Sequence, residues 1–437
     1  MSNWITRVTT LIGTVHRALA PLSASLVIAV AVAVTLADRV SASKPVPSFN
    51  GLASTPYMGW NTYYGIGTRY DEATVKSVVD AIVSRGLRDA GYRYVWLDGG
   101  WWSGTRDPSG AITVDPQKWP DGMAAIADYI HARGLLAGIY TDAGSGSCGP
   151  PNPRGSYGHY QQDVDQFAAW GFDAVKVDFC GGNRDHLVPS QAYAAFSAAL
   201  LHNASHRPML FNICNPLRPG QLGYANPTLR RSAYYSHAFG PPIANSWRTD
   251  SDLGSPGHIA FSDVLRNLDA DAAYPGAAGP GHWNDPDYLG PELGMTPTEA
   301  QSQFTMWAIV AAPLMLGDDV RTMSAATQAV VTNREVIAID QDRFGAQGTR
   351  IDHPGAGDVW VKPLADGQRA VAMLNRGARP TRIVTSIRAV GLRRSRSYVI
   401  RDVWSNRTAT HRSASAGGRF SASVPAHGVA LYRLAAH

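Results

Sequence analysis

The chain reads as an α/β protein: a (β/α)₈ TIM barrel over residues 55–342, then a C-terminal antiparallel β-sandwich domain over 343–437. Three observations predict this. From Thr55 onward, short apolar runs alternate with amphipathic segments, in units that fill about 290 residues, the length of one barrel. The runs are continuous rather than alternating, as in parallel strands covered on both faces. After Gln341 the helical period stops, and short strands between Gly, Asp and Pro turns take over. A doubly wound sheet is the alternative for the first part.

The predicted barrel strands are Tyr57–Asn61, Arg93–Asp98, Leu135–Thr141, Phe172–Asp178, Met209–Cys214, Ile243–Arg248, His282–Asn284 and Ile309–Leu316. Helical segments are expected between them at Glu72–Asp89, Gly122–Ala132, Tyr157–Trp170, Pro189–His206, Gly257–Leu268 and Pro297–Trp307. In the second domain the strands centre on Val359–Val361, Ala370–Leu374, Tyr398–Ile400 and Val429–Tyr432.

Ahead of the barrel, Ala18 to Ala37 is an uncharged run rich in Ala, Val and Leu, preceded by Arg7 and Arg17 and followed by Ser41-Ala42-Ser43. This is the pattern of a secretory signal peptide over residues 1–43 and implies a secreted, extracellular protein. An uncleaved N-terminal anchor is the competing reading, since about 20 apolar residues span a bilayer. Residues 44–54 form a linker.

Composition narrows the function. Hydrophobic residues at 45% and charged residues at 17% allow a large core and exclude global disorder. The net charge of +5 is a scattered Arg excess: Lys occurs only at Lys44, Lys76, Lys118, Lys176 and Lys362, and the one basic run is Arg393, Arg394 and Arg396. No phosphate-binding stripe follows, so nucleic acid is not an expected partner. Gly65-Ile66-Gly67 is too short to be a dinucleotide loop, and no cofactor is implied. The three cysteines, Cys148, Cys180 and Cys214, lack metal-ligand spacing, so no metal is expected. Glu occurs only at Glu72, Glu292, Glu299 and Glu335, so carboxylate chemistry must draw mainly on Asp.

The acids recur where barrel chemistry sits, at the C-terminal ends of strands. Asp98, Asp142, Asp178, the group Arg248, Asp250 and Asp252, and the group Asp285 and Asp287 each follow or end a predicted strand, with Trp and Tyr nearby. One such Asp is an ordinary turn or cap residue. Repetition around one mouth suits a polyhydroxylated substrate. Lys176 and Asp178 lie two apart on one strand and so face the same way; the lysine would hold Asp178 ionised, or the two would form a structural salt bridge.

The segments Met58-Gly59-Trp60-Asn61, Tyr140-Thr141-Asp142-Ala143-Gly144, Lys176-Val177-Asp178-Phe179-Cys180, Asn245-Ser246-Trp247-Arg248 and Trp283-Asn284-Asp285-Pro286-Asp287 occur in that order. So do Ala312-Pro313-Leu314, Asn333 to Ile339, and Val424 to Val429. The set resembles glycoside hydrolase family 27, the α-galactosidase (melibiase) family, over roughly residues 55 to 434. The resemblance implies the same barrel and β-domain. It also implies a double displacement in which Asp178 is the nucleophile and Asp252 the acid/base; Asp250, two residues away, is a rival acid, but the spacing from Arg248 favours Asp252 and leaves Asp250 as a loop cap. Trp60, Asp98, Tyr140, Lys176, Asn215, Arg248 and Asp287 would line the sugar pocket. Cys148 and Cys180 would form a disulfide, leaving Cys214 a free thiol.

This chain departs from the family pattern in the pocket. Gly99 stands where a second consecutive Asp is usual, Asn215-Pro216 where an acid and an aromatic are common, and Tyr288 where an apolar residue is common. Losing a carboxylate that reads hydroxyls can change which sugar is accepted. Three readings follow. The first is a secreted, retaining α-galactosidase releasing terminal α-linked galactose. The second is a glycosidase of the same fold for another sugar: a β-L-arabinopyranosidase, an α-N-acetylgalactosaminidase or an isomaltose-releasing glucanase. The third is a non-catalytic carbohydrate-binding protein, against which the retention of Lys176, Asp178, Arg248 and Asp252 counts. The expected partner is an oligo- or polysaccharide. Once the leader is cleaved, no stable membrane association is expected, and nothing in the sequence fixes an oligomeric state.

Overall fold

The computed structural model describes residues 48–149, 154–215, 231–392, 397–412 and 418–437. The leader, Pro216 and the basic run at Arg393, Arg394 and Arg396 lie outside them. Among the described residues, no helix is long and apolar enough to cross a membrane.

Eight parallel strands form the first sheet: β1 (Met58–Asn61), β2 (Tyr94–Leu97), β3 (Leu136–Asp142), β4 (Ala174–Asp178), β5 (Leu210–Cys214), β6 (Ser246–Arg248), β9 (Trp283–Asp285) and β10 (Leu314–Leu316). A short hairpin, β7 (Gly254–Ser255) with β8 (His258–Ile259), interrupts the series after β6. The order β10-β1-β2-β3-β4-β5-β6-β9 runs once around the sheet. Leu289, just past β9, donates to Met315 O at 2.7 Å and accepts from Gly317 N at 2.7 Å, which closes the ring onto β10. Each strand is buried nearly throughout, as strands covered on both faces must be.

The helices form where apolar residues recur at helical spacing. In Glu72–Ser84, Val75, Val78, Val79 and Ile82 face inward, and the Asp71 side chain caps the Thr74 N–H. The predicted single helix to Asp89 breaks after Ser84 because Gly86, at φ 71°, leaves the helical region; a second turn, Leu87–Ala90, follows. Gly257 and its neighbours form a turn and the β7–β8 hairpin instead of a helix start, and the helix is Phe261–Asp271. The expected strand at Ile309 is also corrected. Ile309 and Val310 end the helix Pro297–Val310, Ala311 turns the chain at φ 56°, and only Leu314–Leu316 is strand. A continuous apolar run does not distinguish a buried helix from a buried strand. Here the capping box of Thr296 and Glu299 starts a helix that carries through the run.

The second domain holds β11 (Thr349–Asp352), β12 (Gly357–Pro363), β13 (Arg369–Asn375), β14 (Thr381–Ser386), β15 (Ser397–Asp402), β16 (Arg407–Arg412), β17 (Arg419–Val424) and β18 (Val429–Ala436). Antiparallel pairing gives a six-stranded sheet, β11-β12-β13-β18-β15-β16, and the pair β14-β17. Period-two alternation splits β13 between two cores. Ala370, Ala372 and Leu374 join the barrel core, while Val371 and Met373 join the core inside the sandwich. The barrel core therefore extends into one face of the β-domain, while the sandwich keeps a separate core of its own. A buried lysine joins the two domains: Lys362 donates to Ala308 O at 2.9 Å and Asp340 O at 3.2 Å. Residues 48–54 also pack on the barrel, with Asn50 donating to Met209 O at 2.8 Å and Trp283 to Ala53 O at 2.8 Å.

Candidate active site

Parallel register brings the candidate residues to one end of the barrel. Tyr140 on β3 lies beside Lys176 on β4, and Asp178 lies beside Cys214 on β5. Asp98 follows β2, Arg248 ends β6, and Asp287 follows β9. Their side chains meet because each points inward from a neighbouring strand end.

Lys176 is the hub. Its ammonium donates to Asp98 Oδ2 at 2.8 Å and sits 3.6 Å from Asp178 Oδ1. The sequence pairs Lys176 with Asp178; the structure gives its direct hydrogen bond to Asp98 and shares its charge with both. Asp98 also accepts from Asn61 Nδ2 at 2.9 Å and from Gly99 N at 2.8 Å. Although burial works against the charged form of Asp98, Lys176 and these donors outweigh it and hold the carboxyl below its usual range. Asp178 accepts from the Tyr140 hydroxyl at 2.8 Å. Burial pushes its pKa up, and Lys176, Tyr140 and Cys214 offset this only in part. The result is a deep carboxylate, one-tenth exposed, whose charge depends on a small number of donors.

Arg248 organises the opposite wall. It is 2.7 Å from Asp287 Oδ2 and 3.1 Å from Asp252 Oδ1, and its Nη1 reaches Cys214 Sγ at 3.8 Å. Asp287 is fully engaged, accepting also from Tyr64 OH at 2.6 Å and Leu253 N at 2.8 Å. Burial raises its pKa to about 6 despite Arg248. Its backbone at φ 85° is unusual for a residue with a side chain, the kind of strain that gathers at functional sites. Asp252 differs from the other acids in being 45% exposed at the mouth, while Asp250 is buried, caps Ser251 N at 2.6 Å and lies 3.7 Å from Arg266 Nε. Of the two, only Asp252 presents a carboxyl to an incoming ligand.

Two expected pocket residues spend their donors on the scaffold. Trp60 donates from its indole to Asp318 O at 2.6 Å, and Asn215 from its amide to Tyr234 O at 2.8 Å. Sequence reasoning missed Tyr63 and Tyr64 as site residues, and it marked Tyr288 only as a departure in the pocket. The rings of Tyr63, Tyr140 and Tyr288 surround the Lys176 ammonium at 5.7, 5.4 and 5.6 Å, a cation–π cage. The signal was present: Tyr63 and Tyr64 follow the first strand, and Tyr288 follows Asp287.

The wall beside Asp178 is built from main chain. Cys148 and Cys180 form a disulfide that joins the loops after β3 and β4, and Cys214 is a buried free thiol. Asp142 accepts from Gly144 N at 2.7 Å, Gly181 N at 3.0 Å and Gly182 N at 3.2 Å, knotting the same loops. Only glycine fits there, because a Cβ on Gly144 would lie 2.0 Å from Gly181 C and one on Gly181 would lie 1.9 Å from Gly146 O. Burial, helped by the charge of Asp178, raises the Asp142 pKa to about 7. Asp142 with the two sulfurs is also the only metal-like grouping among the described residues, and both sulfurs are committed to the disulfide.

A deep acid held by a lysine and a tyrosine, together with a second, more exposed acid tethered by an arginine, is the equipment of a glycoside hydrolase built on a barrel. The comparisons with known proteins name the group. A family model described as alpha galactosidase A matches residues 68–342, and one for the alpha galactosidase C-terminal beta sandwich domain matches 354–434. Alpha-galactosidase A of Cellvibrio japonicus is 37% identical over 413 residues, covering 90% of this chain and 95% of that one. The structure of alpha-galactosidase I from Mortierella vinacea superposes with a TM-score of 0.78 at 30% identity, over 89% and 98% of the two chains. That of the Saccharomyces cerevisiae alpha-galactosidase with raffinose superposes with a TM-score of 0.76 at 27% identity, over 89% and 99%. The chain belongs to the α-galactosidase family, glycoside hydrolase family 27.

Proposed function

We propose that the protein is a retaining α-galactosidase that releases terminal α-linked galactose from oligosaccharides of the raffinose type. The observation that carries this reading is the asymmetry of the two acids: Asp178 buried beneath Lys176 and Tyr140, Asp252 open at the rim and tethered by Arg248. In the mechanism, Asp178 attacks the anomeric carbon while Asp252 protonates the departing oxygen. Water, deprotonated by Asp252, then cleaves the glycosyl-enzyme, and the anomeric configuration is retained. Lys176 and Tyr140 stabilise the Asp178 carboxylate before attack and again as it leaves. Asp98, Asp287 and the tyrosines supply the polar wall that a hydroxylated ring requires.

Gly99 favours a second reading within the same mechanism. A Cβ there would meet only the Tyr140 ring, at 3.8 Å, so the position where the family pattern has a carboxylate is open space. A sugar with a different group at that wall, such as a β-L-arabinopyranoside, is the alternative substrate. Hydrolysis of a panel of p-nitrophenyl glycosides, with Asp178→Ala as control, separates the two. Release from the α-galactoside that is lost in the variant supports the first reading; release from another glycoside alone replaces it with the second. Silence across the panel, and on raffinose, favours a binding protein. We further propose that residues 1–43 direct secretion, a reading supported by the Cys148–Cys180 disulfide. Sequencing the N-terminus of the exported protein tests it, and an intact Met1 would defeat it.

A further inference from the structure

Asp252 stands on a loop whose main chain is held from behind by one helix, Phe261–Asp271. Arg266 Nη2 donates to Asp252 O at 2.6 Å, and Asn267 Nδ2 donates to Ser251 O at 2.9 Å and Pro286 O at 3.0 Å. These bonds fix the backbone that carries the acid and the backbone just before Asp287.

The same helix is gripped from its other side by the β-domain. Arg376 donates to both carboxylate oxygens of Asp269, at 2.9 and 2.6 Å, and Arg350 adds a third bond at 3.0 Å. A two-pronged arginine fixes direction as well as distance. At the helix start, the ring of His427 stacks on Phe261 with centroids 4.8 Å apart. His427 Nδ1 lies 2.6 Å from Glu299 Oε1, and Ser302 Oγ donates to His427 O at 2.7 Å. His427 holds φ 55°, a left-handed conformation that a non-glycine residue keeps only where its surroundings demand it.

We infer that the β-domain is a positioning element for the acid/base: His427 and the Arg376–Asp269 pair fix the helix Phe261–Asp271, and that helix fixes Asp252. His427 and Asp269 are thus positioning residues that act through the helix. The inference rests on Asp252 being the acid/base. General acid catalysis is worth about 10²–10⁴-fold, and a displacement of about 1 Å forfeits much of it. The loss has a signature. A nitrophenolate leaves without help, whereas the sugar hydroxyl of raffinose must be protonated as it leaves.

The test compares raffinose with p-nitrophenyl α-galactoside for the full-length wild type, His427→Asn, Asp269→Asn and Asp252→Ala. Asparagine tolerates the left-handed backbone at 427, and residue 269 is a half-exposed surface position, so both positioning variants keep the fold, checked by thermal melting. We expect kcat/KM on raffinose, which reports the step that forms the glycosyl-enzyme, to fall about tenfold in each, with kcat/KM on the nitrophenyl substrate changed less than about threefold. Equal losses on both substrates, or no loss, overturn the inference. Asp252→Ala is the reference. If its kcat/KM does not itself fall far more on raffinose than on the nitrophenyl substrate, the acid/base assignment fails, and the inference falls with it.

Discussion

Lys176→Met is the most informative single change, because one ammonium serves two buried carboxylates. Methionine fills similar volume without charge. With an effective dielectric constant of about 20, a charge pair at the observed 3.6 Å is worth about 5 kcal/mol, and one at 2.8 Å about 6 kcal/mol. Both partners are at most one-tenth exposed, so solvent screens little of this. Relaxation and proton uptake return part of it, and removing one member of a buried pair typically costs about 3–5 kcal/mol. The site recovers by protonating a carboxyl, and Asp178, already raised by burial, is the readier of the two. A protonated Asp178 cannot attack. Three kcal/mol corresponds to roughly 10²-fold in rate, so kcat/KM in mild acid should fall at least about that far. The acid limb of the pH profile should move to higher pH, so the loss shrinks as pH rises. Initial rates on p-nitrophenyl α-galactoside across the acid range, with a melting curve to confirm folding, decide the matter. An acid limb that stays in place, with kcat/KM within about threefold of wild type, would refute the assignment of Lys176 as the group that keeps Asp178 charged.

Three further outcomes follow from the geometry. Gly181→Ala places a Cβ 1.9 Å from Gly146 O, so the loop must move; overpacking of this kind costs about 1–3 kcal/mol, read as a lower melting temperature together with lost activity. Asp142 and Asp318 are both raised by burial to about 7, so the folded state binds more protons than the unfolded state between about pH 4 and pH 7. Stability from these groups is present below that window and lost as pH rises through it, and calorimetry should find a higher melting temperature near pH 5 than near pH 8. A thiol titration should find no reactive cysteine in the native protein and one after unfolding without reductant, because Cys214 is buried with its pKa pushed well up by burial while Cys148 and Cys180 are bonded. Two or more thiols in the unfolded protein would contradict the disulfide.

The barrel was legible because its strands are long enough, and apolar enough, to announce burial on both faces. β4, with Ala174 to Asp178, lies within its predicted limits. The end of the helix Pro297–Val310 was not legible, since Ile309 and Val310 suit either structure and only Ala311 decides. In the β-domain, β14 and β17 escaped reading: Thr381–Ser386 and Arg419–Val424 are mostly polar or small, and only Ile383, Ala422 and Val424 of the pair join the sandwich core. In the site, the acids stood out by type and position. Their partnerships did not, because Lys176 on β4 reaches Asp98 at the end of β2 past the intervening β3, and sequence distance holds no trace of that. The tyrosine cage was overlooked for a related reason: Tyr63 and Tyr288 are far apart in the chain and adjacent only after the barrel closes.

The glycine contact beside Asp178 bears on how the pocket can change over generations. Where Gly144 and Gly181 touch, the surface is main chain, and any side chain is excluded by hard overlap. That side of the cup is closed to gradual variation, since every single substitution there displaces the loop that follows Asp178. Novelty in substrate choice must enter through positions with room. Gly99, which has space for a side chain, is such a position, and one codon change there adds a new group to the pocket without disturbing the floor. The cup therefore pairs one wall that cannot be revised with another that can, and divergence of specificity is channelled to the second.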